Sequence, residues 1–304
     1  MTGPQISVII PAYNAAGFIV DAIESVLAQK YPPAEIIIID DGSTDATHDV
    51  VSKFQTTNLK LIRTPNQGVA AARNLGIEAA SGDWLAFLDA DDVWVQDKLA
   101  MQVEYFDEFD FITGNALIMG SHDQLATAGE LLSFEKHGVM AEIERNWVTT
   151  SSVCLRRSAL GDLRFTPGMR FAEDYSLWLR LLATGARLKV ITQPLYEYRV
   201  HSMNATASEV GHNLVRAKVL EQFALSMPPN SKLSKSAQSA ASLSYLSYCQ
   251  DELRHKRYAV PTILQLAGGG TPYQVAPTQV FLLALKGLVR AAARRLPRGA
   301  NNHE

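Results

Sequence analysis

Two short runs of β-branched residues place the strongest limits on the fold of this chain. Residues 6–10 read ISVII, and residues 36–39 read IIII. Continuous apolar runs, unlike alternating ones, are typical of strands that are buried on both faces of a parallel sheet. Between them, residues 15–30 carry apolar side chains at helical spacing. The order therefore predicts a strand–helix–strand unit.

The same alternation continues along the first ninety residues. Four further segments follow it: a helix over 43–54 with a Ser or Thr cap, a strand over 59–64, a helix over 67–80 and a strand over 84–89. Such alternation is typical of a doubly wound α/β fold. We therefore predict a Rossmann-like, mostly parallel sheet with helices on both faces.

The character of the sequence changes after about residue 205. Before that point we predict three more elements: strands near 111–118 and 149–156 and a helix near 173–184. Beyond it no parallel-strand run follows, and three segments look helical: 210–227, 233–257 and 275–296. We predict two domains, an α/β domain over 1–205 and a small helical C-terminal region over 206–304.

Composition narrows the class of protein. The chain is 304 residues long, 47% hydrophobic and 19% charged, which is unlike a disordered protein. The net charge of -3 argues against nucleic-acid binding. The two cysteines, Cys154 and Cys249, form neither a disulfide framework nor a zinc spacing. The first residues lack the pattern of a signal peptide, and no long apolar run predicts a spanning helix. We expect a cytoplasmic protein.

Polar clusters follow three of the predicted strands. They are Pro11-Ala12-Tyr13-Asn14, Asp40-Asp41-Gly42-Ser43 and Asp89-Ala90-Asp91-Asp92. Ligands of open α/β sheets bind outside the carboxyl ends of the parallel strands. We therefore expect the three clusters to meet at one edge of the sheet and to form a ligand site there.

The third cluster carries three carboxylates in four positions. Carboxylate oxygens suit Mg²⁺ or Mn²⁺, often shared with a substrate phosphate, and such a cation would cancel the repulsion between the acids. The alternative is that Asp91 or Asp92 caps a helix over 93–106, where the helix dipole favours acids. Both interpretations stay open, since Asp92 could cap while Asp89 and Asp91 bind a ligand.

Four sequence motifs, in this order, resemble those of the family 2 glycosyltransferases, which have the GT-A fold. They are VIIPAYN, IIIIDDGSTDAT, NQGVAAARNLGIEAASGDWLAFLDADD and AEDYSLWLRL. The motifs are short, but their order and spacing are specific, and the resemblance covers about residues 1–205. It implies an inverting, metal-dependent transfer of a hexosyl or N-acetylhexosaminyl group from a nucleotide donor.

The resemblance implies a donor site at the strand ends. Pro11, Ala12, Tyr13 and Asn14 would lie along the nucleoside, with Asp41 at the base edge, typically uracil, and Asp40 close by. Asp40 and Asp41 could instead, or also, form a turn with a helix cap at Ser43 or Thr44. Arg73 would reach towards the phosphates; otherwise it is an exposed helix arginine. Asp89 and Ala90 would lie in the family's DxD motif, with Asp89 on the ribose or the metal.

The resemblance also implies the metal ligands and the base. Asp91 would bind a divalent metal, Mn²⁺ or Mg²⁺, and His201 could complete the metal shell, although a lone histidine is more often structural. Asp174 would be the catalytic base, with Glu173 beside it, because an inverting transfer needs a carboxylate to take the proton of the acceptor hydroxyl. The alternative for both acids is complementation of a helix dipole.

The acceptor side is assigned more loosely. Trp147, Thr150 and Ser151 are acceptor-site candidates by the same resemblance, and Trp94 is either a sugar-stacking or a core residue. Arg156 and Arg157 either face the donor phosphates or are solvated.

The C-terminal segment 275–298 reads as a basic amphipathic helix. Such a helix can lie on an anionic membrane or lipid-carrier surface, or it can pack within the protein or on a partner. Both interpretations stay open, and the first would place the protein at the inner face of the cell membrane. The oligomeric state is also open, a homo-oligomer included.

We therefore predict a glycosyltransferase that moves a sugar from a UDP-sugar to a hydroxyl of a saccharide or lipid-linked saccharide, in the synthesis of a cell-surface glycan. A nucleotidyltransferase would need a basic, glycine-rich loop after the first strand, but PAYNAAG has no Lys or Arg. A non-catalytic nucleotide-sugar-binding scaffold would have no need of Asp91 and Asp174.

Overall fold

A computed structural model describes residues 3–121, 123–169, 171–201 and 212–254. The chain divides into two compact units, 1–207 and 208–304, and each is described by itself.

The first unit is built on one eight-stranded sheet. Its strands are β1 (Ile6–Ala12), β2 (Glu35–Asp40), β3 (Leu59–Arg63), β4 (Trp84–Phe87), β5 (Val93–Trp94), β6 (Phe111–Ile118), β7 (Cys154–Arg156) and β8 (Leu188–Tyr198). Their order across the sheet is β3-β2-β1-β4-β7-β6-β8-β5. The run β3-β2-β1-β4 is parallel, as is the pair β6–β8. Strand β7 is antiparallel to both of its neighbours, and β5 is antiparallel to β8.

Eight helices belong to the described part of this unit. They are α1 (Ile19–Leu27), α2 (Thr47–Val51), α3 (Val69–Ala79), α4 (Lys98–Val103), α5 (Ala128–His137), α6 (Val139–Glu144), α7 (Arg157–Leu160) and α8 (Glu173–Ala183). A 3-10 turn spans Thr150–Ser152.

The helices cover both faces of the sheet, which explains the continuous apolar runs. Every residue of β1, β2 and β4 is buried. Alternate residues of β1 point into two separate cores, Val8 into one with α1 and Ile9 into the other with α3. Helix α3 approaches so closely that a Cβ on Gly76 would collide with Ile9. The prediction of a mostly parallel sheet with helices on both faces is confirmed.

The predicted helix over 15–30 is shorter in the structure and begins at Ile19. The backbone N–H groups of Asn14 and Ala15 donate instead to the hydroxyls of Ser43 and Thr47. These bonds to residues about thirty positions away hold the segment as a loop at the end of β1.

Three other predicted elements also differ. Helix α2 begins at Thr47 without a side-chain cap, so neither Ser43 nor Thr44 caps it. The predicted helix over 93–106 is wrong in its first turn, because Val93 and Trp94 pair with β8 before α4 begins at Lys98. The predicted strand near 149–156 is a 3-10 turn followed by the short β7.

The described part of the second unit consists of two helices, α9 (His212–Ser226) and α10 (Lys232–Arg254). They pack through small and aliphatic side chains such as Leu220 and Ala241, and the Tyr245 hydroxyl donates to Glu221. The basic segment 275–298 lies outside the described residues. Among the residues that the structure describes, no helix is long and apolar enough to cross a membrane.

The amino ends of the strands are held together by one buried carboxylate. Oε1 of Glu35 accepts hydrogen bonds from the Ser7 hydroxyl (2.7 Å) and from the backbone N–H and hydroxyl of Ser81 (2.6 and 2.7 Å). Burial raises the pKa of Glu35, but these bonds and the charge of Lys60 outweigh it and lower the pKa to about 2. The ionised carboxylate therefore joins β1, β2 and the start of β4.

We expect Glu35→Gln to lower the free energy of unfolding at pH 7 by about 3 kcal/mol, from a pKa difference of about two and a half units. Because the folded-state pKa is depressed, this stabilisation is present above about pH 4.5 and is lost as the pH falls towards 2. Urea unfolding at several pH values measures the difference between variant and wild type. The exposed Glu78→Gln on α3 is the control, and a difference that does not shrink below pH 4 would contradict the assignment.

Candidate active site

The first two strand-end clusters are joined by hydrogen bonds. Pro11 and Ala12 end β1 in the core, Tyr13 is 51% exposed, and Asn14 has a left-handed backbone with φ of 50°. This conformation turns the Asn14 side chain so that its Oδ1 accepts the N–H of Thr44 at 2.8 Å. The loops after β1 and β2 therefore form one surface at the carboxyl ends of the strands, which we call the carboxyl edge.

Asp40 and Asp41, at the end of β2, are both buried and both used by the fold. Asp40 accepts the N–H of Ser43 at 2.9 Å, as expected for the predicted turn, and it lies 3.3 Å from Arg63 Nε. Asp41 accepts the N–H groups of Gln67 (2.9 Å) and Gly68 (2.8 Å). Asp41 therefore fixes the loop that leads into α3.

Arg73 on α3 is a buried cation between two acids. Its guanidinium donates to Asp89 Oδ1 and to Glu173 Oε1, both at 2.6 Å, and it lies over the ring of Phe165. Burial alone would lower the pKa of Arg73, but the charges of Asp89, Glu173 and Asp174 outweigh it and raise the pKa. The alternative of an exposed helix arginine is therefore wrong.

Asp89, Ala90 and Asp91 lie in the loop after β4, beside His201. Asp91 Oδ2 lies 3.0 Å from His201 Nε2, and the His201 ring stacks on Phe18 with centroids 4.7 Å apart. Burial, followed by the charge of Asp89, raises the pKa of Asp91. This carboxylate is thus held ionised only against an electrostatic cost, which a nearby cation would remove.

Asp92 does not cap a helix. Its Oδ2 accepts the Ser151 hydroxyl at 2.6 Å, and its Oδ1 accepts the N–H of Arg199 at 3.2 Å. Burial and the charge of Asp89 raise the pKa of Asp92 well above its usual range. The side chain therefore ties the acidic loop to the 150–152 turn and to the end of β8.

Glu173 and Asp174 form the first turn of α8, after Ala172 in a left-handed conformation with φ of 59°. Glu173 is bound by Arg73, and burial together with the charge of Asp174 raises its pKa. Asp174 is partly exposed, and its Oδ2 accepts the Thr150 hydroxyl at 3.0 Å. Of the two acids, Asp174 is the one that is open to a bound molecule.

The structure separates the acceptor candidates. Thr150 and Ser151 are 4% and 1% exposed, and their hydroxyls face carboxylates. Trp147 is partly buried, stacks on Phe134 and lies beneath Arg145. The core interpretation of Trp94 is confirmed, because that side chain is 3% exposed and its Nε1 donates to the Ser151 carbonyl.

Arg156 and Arg157 belong to the opposite edge of the sheet. Arg156 pairs with Trp84 at the start of β4, and its guanidinium donates to Asp110 and to the carbonyl of Phe106. Arg157 donates to the carbonyl of Ala80. Both line a cavity of about 560 Å³ at the amino ends of the strands. Neither arginine therefore lies at the carboxyl edge, where the donor phosphates are expected.

Sequence reasoning missed the contacts made by Arg199 and Phe18. Arg199 donates through its Nη2 to Asp21 at 2.7 Å and through its Nε to the carbonyl of Asp91 at 2.9 Å. The Phe18 ring contacts both residues: it stacks on His201, and the Arg199 guanidinium lies 5.3 Å from its centroid. The only signal in the sequence was the closeness of Arg199 to His201, and nothing in it pointed to α1 as their support.

Comparison with known proteins gives a family and relatives of known name. The model of "Glycosyl transferase family 2" matches residues 7–160. A putative teichuronic acid biosynthesis glycosyltransferase, TuaG of Bacillus subtilis, is 34% identical over 207 residues, which cover 65% of this chain and 79% of that protein. WfaP of Escherichia coli, a UDP-Glc:alpha-D-GlcNAc-diphosphoundecaprenol beta-1,3-glucosyltransferase, is 30% identical over 221 residues, covering 72% and 87%.

Solved structures agree on the fold. The crystal structure of S. aureus TarS 1-349 in complex with UDP-GlcNAc matches with a TM-score of 0.64 at 19% identity, covering 93% of this chain and 79% of that one. At that identity the likeness supports the GT-A fold alone. With the family model over half of the chain and relatives matched over most of their length, the protein belongs to glycosyltransferase family 2 and is a glycosyltransferase.

Proposed function

We propose that the protein transfers a sugar, with inversion, from a UDP-sugar to a saccharide hydroxyl during the synthesis of a surface polysaccharide. One observation carries the proposal: Arg73 joins Asp89, at the end of a central strand, to Glu173, next to the open carboxylate of Asp174. Asp89, which would bind the donor, and Asp174, which would act on the acceptor, therefore lie in one site. The E. coli relative, whose name gives UDP-Glc and a lipid-linked acceptor, supports this substrate class.

The nucleoside would lie along the joined loops after β1 and β2. In this proposal Pro11 to Asn14 line the uridine, with Asp40 and Asp41 beneath it. Both carboxylates already accept backbone N–H groups, so their first effect is to set the shape of these loops. Arg73, Asp89 and Ala90 would face the ribose and phosphates.

Asp91 and His201 fit a divalent cation. The Asp91 carboxylate suits Mn²⁺ or Mg²⁺ coordination that is completed by water and phosphate oxygens, and the His201 imidazole would favour Mn²⁺ of the two. Burial and the charge of Asp89 raise the pKa of Asp91, and a cation would offset both effects. Within the described residues no three His, Cys, Asp or Glu side chains form a complete metal site. A cation held there would neutralise charge on the departing diphosphate.

Asp174 would act as the base. It takes the proton of the acceptor hydroxyl while that oxygen forms a bond to C1 of the sugar, and the bond between C1 and the diphosphate oxygen breaks on the opposite face. Glu173, neutralised by Arg73, holds that arginine in place. Trp147 is our candidate for the acceptor side, and residues 1–205 would form the catalytic domain, working at the cytoplasmic face of the membrane.

Calorimetric titration of UDP, GDP, CDP and dTDP, each with Mn²⁺ and with EDTA, tests the donor proposal. We expect UDP to bind with Mn²⁺ and to lose at least about tenfold in affinity with EDTA, because the cation offsets the repulsion between diphosphate and Asp91. Asp91→Ala should lose the metal dependence. The control is Asp97→Ala, which removes an acid directly before α4 whose side chain is 48% exposed.

Equal UDP affinity with and without metal would refute the metal role. Preferential binding of another diphosphate would refute the UDP assignment, and no binding at all would refute the donor site at this edge.

A further inference from the structure

The 3-10 turn Thr150–Ser152 contacts both halves of the proposed site. The Thr150 hydroxyl donates to Asp174 Oδ2 at 3.0 Å. The Ser151 hydroxyl donates to Asp92 Oδ2 at 2.6 Å and accepts the N–H of Asp89 at 3.1 Å. Two adjacent hydroxyls thus hold the acceptor-side acid and the donor-side acidic loop.

A buried polar network supports this turn from within the core. Trp94 Nε1 donates to the Ser151 carbonyl, and Gln102 Nε2 donates to the Ser152 carbonyl, both at 2.8 Å. The fully buried Lys98 donates to Gln102 Oε1 at 2.8 Å, which fixes which end of the Gln102 amide faces the turn. The turn is therefore anchored by side chains that face only the protein interior.

We propose that Thr150 is a positioning residue for Asp174 and that Ser151 is a positioning residue for the acidic loop 89–92. The inference rests on the proposed function, in which Asp174 is the base. Both hydroxyls are too buried to meet an acceptor, which distinguishes this role from the contact role expected of them from sequence.

The geometry explains why Asp174 needs such a support. Its Oδ1 accepts the N–H of Tyr175 at 2.7 Å, and its Oδ2 accepts the Thr150 hydroxyl, so the carboxylate plane is fixed at both oxygens. Without Thr150 only the first bond remains, and the carboxylate can rotate away from the acceptor hydroxyl. Small displacements of a reacting group cost large factors in rate.

The test compares Thr150→Val and Ser151→Ala, each purified as the full chain. Turnover is measured as UDP release from UDP-glucose with GlcNAc-diphosphoundecaprenol as acceptor, and also as hydrolysis of UDP-glucose, in which water replaces the acceptor. Thr184→Val, at the other end of α8, is the control for the same substitution. Thr150→Ser restores the hydroxyl, and thermal unfolding reports on folding.

We expect Thr150→Val to lower kcat by about 10- to 100-fold with little change in the KM for donor, and Thr150→Ser to recover most of that loss. Ser151→Ala should instead raise the KM for donor with a smaller effect on kcat. If the turn only stabilised the fold, kcat and the KM for donor would change in the same way in Thr150→Val and in Ser151→Ala. If Thr150→Val does not fold, Thr150→Ala carries the same expectation.

Wild-type kcat in Thr150→Val, or the same kinetic pattern in both turn variants, would overturn the inference. These failures are distinct from failure of the proposed function. Unchanged turnover in Asp174→Asn would refute the assignment of Asp174 as the base. If Asp174→Asn loses turnover while Thr150→Val keeps it, only the positioning role of Thr150 is refuted.

Discussion

Replacing Asp174 with asparagine is expected to lower kcat by about 10²- to 10⁴-fold, the range typical of losing a general base, and to leave donor affinity within about twofold. The amide has the size of the carboxylate and can still accept one of its two hydrogen bonds. It cannot take a proton at neutral pH. The donor-side contacts are made by other side chains, so UDP binding with Mn²⁺ should persist.

The measurement is UDP release under saturating donor, with calorimetric binding of UDP beside it. Asp162→Asn, an exposed acid in the segment before α8, is the matched control. Glu173→Gln separates the two neighbouring acids: because Glu173 is bound by Arg73, its replacement should affect stability and donor binding as well as rate. Turnover that survives in Asp174→Asn but not in Glu173→Gln would move the base to Glu173.

Replacing Arg73 with methionine is expected to lower the free energy of unfolding by about 3–5 kcal/mol and to abolish turnover. Arg73 is 4% exposed, and its guanidinium compensates Asp89 and Glu173 together. Removing it leaves two carboxylates at the site without their cation, and Glu173 in particular is too buried for water to replace it. The cost is that of an unpaired charge rather than of a lost surface contact.

Urea unfolding of single and double variants checks this expectation. Adding Glu173→Gln to Arg73→Met should recover part of the lost stability, because the second substitution removes the stranded charge. Arg145→Met is the control: its partner Glu130 is exposed, and such pairs contribute little. An Arg73→Met protein as stable as wild type would show that the bridge between the strand end and α8 is not a structural element.

The parts of the fold that followed from sequence were those governed by local pattern. Ile36 to Ile39 had to be buried on both faces, since four β-branched residues in succession leave no polar face for water. Asp89 and Asp91 could be placed at a ligand edge by the rule for parallel strands alone. Their contacts with Arg73 and His201 needed the structure, because α3 and the end of β8 meet the acidic loop only in three dimensions.

The errors arose where a distant side chain competes with local preference. Residues 15–18 look helical, but the Asn14 and Ala15 N–H groups are taken by hydroxyls of the next loop. Asp92 looks like a helix cap, but its two carboxylate oxygens accept hydrogen bonds from the Ser151 hydroxyl and the Arg199 N–H. The rule for parallel strands also missed the 150–152 turn, since that turn comes before a strand and not after one.

That last exception follows from the direction of β7. Because β7 runs antiparallel to both β4 and β6, the connection from β6 to β7 begins and ends at the carboxyl edge. Between these points Glu135 of α5 accepts the N–H of Val190, near the start of β8. The connection carries α5, α6 and Trp147, and it is pinned at its return by the turn hydroxyls. Because Leu131, Phe134 and Val148 of this connection are buried in the same core as Ile9, the connection is a structural part of the domain and not a detachable loop.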